Sequence, residues 1–175
     1  GLIISTHDDG NPNNNGGGLY CAGSGSGHQC SPTLRNLIIR SNSAADSGGG
    51  LLNNGSGGES STLLVNVTVS GNSANHGSGM LNDGSTGGVS SPALTNVLIS
   101  GNTAVDNGGG VYNNGSVVGA SSPAFTNVTI SGNRAGGNGG ALFNYGQSGV
   151  SSPTFLNSIV WGNASYSGGA QIYNH

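Results

Sequence analysis

The sequence predicts an all-β fold, a right-handed parallel β-helix: one solenoid domain over residues 1–175, in about five to six coils of roughly 30 residues. Three observations carry that expectation. The first is a set of asparagine columns that keep one period along the chain. Asn36, Asn66, Asn96, Asn127 and Asn157 are separated by 30, 30, 31 and 30 residues. Asn42, Asn72, Asn102, Asn133 and Asn163 follow six residues behind, and Asn53, Asn82, Asn113, Asn144 and Asn174 form a third series. The second is that short apolar pieces, "NLII", "NVTV", "NVLI", "NVTI" and "NSIV", recur at the same period, bounded by Gly, Asn and Pro as strands are. The third is composition. A chain with 36 Gly and only 5% charged residues lies far from globular averages, yet its apolar periodicity is that of an ordered protein.

Each unit reads "SP-x-[LF]-x-N-[VL]-x-[IV]-x-G-N", a small polar turn, "GG[GA]" with an apolar pair and Asn, then a Gly/Ser turn. Two strands per unit are expected, with helix disfavoured throughout. In a solenoid the same strand of successive coils pairs in parallel about 4.8 Å apart, so equivalent residues stack. A buried Asn amide then hydrogen-bonds to the identical amide above and below it, and Asn also tolerates left-handed corners. Counted from the first Asn column, position -2 (Leu34, Leu64, Leu94, Phe125, Phe155) and position +3 (Ile39, Val69, Ile99, Ile130, Val160) are the core candidates. Position +1 (Leu37, Val67, Val97, Val128, Ser158) also reads as buried. Positions -2 and +1 cannot share one face of a straight strand, so the Asn between them is expected at a bend.

The outward columns follow from the same count. Position +2 holds Ile38, Thr68, Leu98, Thr129 and Ile159; position -1 holds Arg35, Val65, Thr95, Thr126 and Leu156. Thr68, Leu98, Thr129, Ile159, Thr95 and Thr126 form a candidate contact face for a neighbouring fibril or chain, a glycan or ice. A second stripe, Tyr20, Leu52, Leu81, Tyr112, Phe143 and Tyr173, precedes the third Asn column. It reads as a core or partly buried ladder, and as a glycan-stacking surface if it points outward.

Charge excludes other classes. Three Arg, no Lys and six acidic residues give a net charge of -3, which leaves no basic patch for nucleic acid or an anionic membrane surface. No apolar run approaches the roughly 20 residues of a membrane span. The acids Asp8, Asp9, Asp46, Asp83, Asp106 and Glu59 fall mainly in turns. Asp46 and Asp106 occupy equivalent places two coils apart, roughly 10 Å, too far to act as a tight pair. Asp8 and Asp9 could bind Ca2+ with nearby carbonyls but show no ligand spacing, and His7, His28, His76 and His175 are scattered. No metal, cofactor or catalytic residue is therefore expected. Cys21 and Cys30 flank "AGSGSGHQ" and read as a local disulfide in an oxidising, extracellular setting. The sequons at Asn54, Asn66, Asn114, Asn127 and Asn163 are expected from repetition alone.

With these motifs in view, the chain resembles bacterial surface and secreted proteins with right-handed parallel β-helix repeats. "GGAL" at Gly139 to Leu142 is similar to the "GGA[ILV]" mark of the chlamydial polymorphic outer membrane protein repeat, with "GGGL" and "GGGV" at Gly48 and Gly108 as looser matches. The "FxxN" mark of that repeat reads "VSGN", "ISGN" and "VWGN" here, with Val or Ile in place of Phe. The last unit, "NSIVWGNAS" through "QIYN", resembles the closing repeats of choice-of-anchor secreted proteins. The resemblance implies an extracellular stalk, adhesive surface or passenger domain without enzymatic activity, and carries no catalytic residue across. The chain starts and stops inside the repeat, so flanking coils or head-to-tail stacking of subunits are the expected partners, with glycans or a host or neighbouring cell surface as others. The alternatives are an ice-binding or glycan-binding β-helix and, less favoured, a polysaccharide lyase-like enzyme.

Overall fold

Short strands cut by turn residues at a fixed period leave the backbone one economical solution: each strand pairs with its own copy one period later. A computed structural model describes residues 2–5 and 15–175, with side chains from Asn15 onward, and shows this arrangement. Among the described residues there is no helix, and the strands form four parallel sheets. The first sheet stacks Thr33–Arg35, Leu63–Val65, Ala93–Thr95, Ala124–Thr126 and Thr154–Leu156. The second stacks Leu2–Ser5, Leu37–Arg40, Thr68–Ser70, Leu98–Ser100, Thr129–Ser131 and Ile159–Trp161. The third holds Ser73–Ala74, Thr103–Ala104, Arg134–Ala135 and Ala164–Ser165. The fourth stacks Leu19–Ala22, Leu51–Asn54, Met80–Asp83, Val111–Asn114, Leu142–Tyr145 and Ile172–Asn174. The result is a parallel β-solenoid of about five turns with about 30 residues per turn.

The expected two strands per unit become four, and the reason is local. Asn36, Asn66, Asn96, Asn127 and Asn157 adopt left-handed φ of 56°, 55°, 54°, 54° and 49°. One left-handed residue turns the chain and resets which face the next side chain shows, so each apolar piece splits into two strands. This is how positions -2 and +1 both point inward. A second corner follows at Ser41, Gly71, Gly101, Gly132 and Gly162, all with positive φ. The short third-sheet strands then form in the segment that reads as a polar turn, because Ala44, Ala74, Ala104 and Ala135 are small enough to be buried there.

The core candidates lie inside as expected. Leu64, Leu94, Phe125, Val67, Val97, Val128, Val69, Ile99 and Ile130 are buried, joined by Leu51, Met80, Val111 and Leu142 from the fourth sheet. Each such side chain contributes roughly 1.5–3 kcal/mol on burial. In the outer coils Leu34, Leu37 and Val160 are partly buried, and Phe155 is exposed while its ring stacks on Phe125 at 4.9 Å. The turn before the fourth sheet leaves no room for a side chain: a Cβ on Gly109 would sit 2.4 Å from the Arg134 carbonyl oxygen.

Two of the three Asn columns run through this interior. Asn72 Nδ2 donates to Asn102 Oδ1 at 2.9 Å and to the Ile39 carbonyl at 3.2 Å, while the Asn72 backbone N–H also donates to Asn102 Oδ1 at 2.9 Å. Asn102, Asn133 and Asn163 continue the series. In the third column Asn53, Asn82, Asn113 and Asn144 each donate Nδ2 to the Oδ1 of the next, ending on Asn174.

Cys21 and Cys30 form the expected disulfide, with Cα atoms 5.5 Å apart. Cys21 lies in register with Asn53, so the first coil has sulfur where the later coils have an amide. A disulfide sulfur has no proton to give, and Asn53 Oδ1 is buried without a partner. The Thr62 hydroxyl is likewise buried without a partner, at the position that Pro92, Pro123 and Pro153 hold in later coils. It faces a cavity of about 70 Å3 lined also by Leu19, Cys21, Cys30, Leu34 and Leu51.

Candidate functional site

Two outer regions carry side chains with chemistry to offer. The first is the ridge where the first and second sheets meet at the outer Asn column. A left-handed residue directs its side chain away from the core, and all five of these Asn are exposed. The first four still form a ladder: Asn66 donates Nδ2 to Asn36 Oδ1, Asn96 to Asn66, and Asn127 to Asn96, each at 3.2 Å. The polarity is reversed relative to the interior columns, since here the later coil donates to the earlier one. An amide has two N–H groups and two lone pairs, so a residue within this ladder keeps one donor and one acceptor site free.

On either side of the ridge stand the predicted contact columns. Thr68, Thr95, Thr126 and Thr129 are half-buried and Leu98 and Ile159 exposed. Among the described residues the hydroxyls of those four Thr bond to no other group. Ionisable side chains are missing from the runs Ser60 to Asn72, Ser90 to Asn102, Ser121 to Asn133 and Ser151 to Asn163. The ridge and both flanks are therefore uncharged across four coils.

The second region is the outer side of the fourth sheet. Leu51 and Asn53 point inward, so period-2 alternation puts Leu52 and its stripe outside. The stripe closes on itself. Tyr112 and Phe143 lie 4.8 Å apart, Phe143 and Tyr173 5.4 Å apart and nearly parallel, and Tyr145 stacks on His175 at 5.1 Å. Leu52, Leu81 and Phe143 are buried by their neighbours. The partly buried expectation is met in the later coils, where the Phe143 ring lies between those of Tyr112 and Tyr173, whereas Tyr20 in the first coil is exposed.

Beside this stripe the structure gathers residues that the sequence reading keeps apart. His76 packs edge-on against Tyr112 at 5.7 Å, and its Nδ1 lies 3.8 Å from Asp106 Oδ2. Burial, with Tyr145, Asp106 and Asp83 adding negative potential, pushes the Tyr112 hydroxyl up to about 12. The signal was available, because His76 and Asp106 are 30 residues apart, one coil of the repeat. Asp46 meets His76 only through its backbone carbonyl, which accepts the His76 N–H. Among the described residues no three His, Cys, Asp or Glu side chains come together as a metal site, and Asp8, Asp9 and His7 lie outside the described residues. Among the described residues no helix is long and apolar enough to cross a membrane. Of the sequons, Asn163 is buried, Asn54 and Asn114 are half-buried, and Asn66 and Asn127 are exposed on the ridge.

Comparison with family models, with curated proteins and with solved structures finds no match. The solenoid architecture rests on the parallel pairing and register described above.

Proposed function

We propose that the chain is a non-enzymatic extracellular β-solenoid with a structural or adhesive role, acting as a segment or subunit of a longer assembly, as in the polymorphic outer membrane and choice-of-anchor repeats it resembles. One observation carries this reading: every coil is joined to the next by the same parallel sheets and buried amide ladders, so the rod is built by repeating one joint along its axis. A joint of this kind can serve between coils of one chain and between copies alike.

The disulfide supports an oxidising, extracellular location. The hollow of about 420 Å3 beside the last coil is lined by Asn144, Ser151, Ser152, Pro153, Phe155, Ile172 and Asn174, a set without an acid or base for proton transfer. An ice-binding role has less support, since Leu98 interrupts the threonine column between Thr68 and Thr129. The test is electron microscopy and sedimentation of the full chain over a wide concentration range. Rods that lengthen with concentration are expected; compact monomers under every condition would count against assembly. Degradation of a uronic-acid polymer would overturn the non-enzymatic reading.

A further inference from the structure

The Asn ridge is more than a corner, and the kind of partner it can hold follows from what stands on it. Across three consecutive coils the surface reads Val65, Asn66, Thr68; then Thr95, Asn96, Leu98; then Thr126, Asn127, Thr129. The register places Thr95 against Thr126, and Leu98 between Thr68 and Thr129. Coils are about 4.8 Å apart, so free amide sites and free hydroxyls recur along the ridge at that step, interleaved with aliphatic groups.

We infer that this ridge is a docking surface for a neutral polysaccharide lying along the solenoid axis. Three features of the surface select that class. First, it bears no charge across four coils, so an anionic polymer, a nucleic acid or a charged protein patch would lose hydration there without an ion to pair with. Second, the Thr hydroxyls have no partner in the protein, and the inner ladder amides keep a donor and an acceptor, which suits a ligand whose own hydroxyls both give and accept. Third, Val65 and Leu98 offer apolar contact beside those groups, as the C–H faces of a sugar ring require. Ice has no such face. On the aromatic stripe the Phe143 ring already lies between those of Tyr112 and Tyr173.

This inference rests on the adhesive part of the proposed function, and its test is separate from the assembly test. The full chain is incubated with insoluble cellulose and with chitin as neutral probes, and with polygalacturonate as an acidic control. Saturable retention on at least one neutral probe is expected, unchanged between about 50 mM and about 500 mM salt because no ion pair is involved. The double variant Thr126→Val, Thr129→Val keeps shape and strand preference while removing two hydroxyls, and should weaken retention at least about five-fold. Thr126→Lys with Thr129→Lys should abolish it, with circular dichroism confirming that the solenoid persists. Three results would overturn the inference: no retention on either neutral probe, retention lost at high salt, or retention equal in the Val variant. Ice shaping or lateral dimerisation by the wild type that the same variants remove, without polysaccharide binding, would also overturn it. Filaments seen in the absence of retention would leave the assembly reading standing and remove only this one.

Discussion

The outer Asn column and the two inner ones use the same residue, at the same period, for different work. Outside, Asn96 is chosen for its backbone: φ is 54°, its side chain is exposed, and its ladder bonds, to Asn66 and from Asn127, are each 3.2 Å long. Inside, Asn102 is chosen for its amide, which accepts from the N–H and Nδ2 of Asn72 and donates to Val69 and Asn133 in the dry core. A repeated residue marks a stacked position. It does not say whether the position was kept for conformation or for hydrogen bonding.

The largest break in that comparison is expected from Asn102→Ala. It removes the acceptor shared by the Asn72 N–H and Nδ2 and the side-chain donor to Val69 O and Asn133 Oδ1, all in the core, and should cost about 3–5 kcal/mol in urea unfolding. A loss under 1 kcal/mol, an amount set by ordinary exposed hydrogen bonds, would show that the inner ladder is decorative. Next comes the first coil, where sulfur interrupts the third column. Cys21→Asn with Cys30→Ser should be more stable than Cys21→Ala with Cys30→Ser by about 1–2 kcal/mol, because only the first supplies a donor to Asn53 Oδ1. Both variants lack the disulfide, so equal melting points would refute the orphaned-acceptor argument. On the ridge, Asn96→Gly should be nearly neutral, whereas Asn96→Ala should cost about 1 kcal/mol for the left-handed backbone.

The smallest effect concerns the aromatic side of the solenoid. Tyr112 should ionise near 12 in an ultraviolet titration, above the ordinary tyrosine value of 10.0. Its folded value lies above the unfolded one, so its contribution to stability is complete below pH 10.0 and is lost as pH rises through about 12. Tyr112→Phe should flatten the stability profile in that alkaline window. An unchanged profile would mean that the Tyr112 hydroxyl is not buried as described.

The period told which residues stack, and from it the parallel sheets, the core at positions -2, +1 and +3, and the disulfide were all legible. Direction was harder to read. Nothing in a 30-residue repeat says that Asn36 and its equivalents face solvent while Asn42 and Asn53 face the core. The hint was the inward clash of positions -2 and +1, which a left-handed Asn resolves. The third sheet escaped notice because two-residue strands such as Thr103–Ala104 lack any alternation to detect. His76 and Asp106 look scattered when residues are compared along the chain and become neighbours when compared coil by coil. At the ridge, the free hydroxyls of Thr126 and Thr129 could be guessed as outward from the sequence, but their lack of partners is a property of the packed structure.

The bonds between coils join residues about 30 positions apart and point along the solenoid axis, as in Asn66 N–H to Thr95 O, Thr103 N–H to Asn72 O and Val111 N–H to Ala141 O. The molecule is for that reason mechanically anisotropic. A pull along the axis that is spread over a whole coil loads four sheets and three amide files together, and they must yield at once. The same force applied to one end of the chain lifts a single strand at a time and unwinds the rod turn by turn. A spacer built this way would carry most load when its last coil is gripped around its full circumference, and least when it is held by the terminus alone.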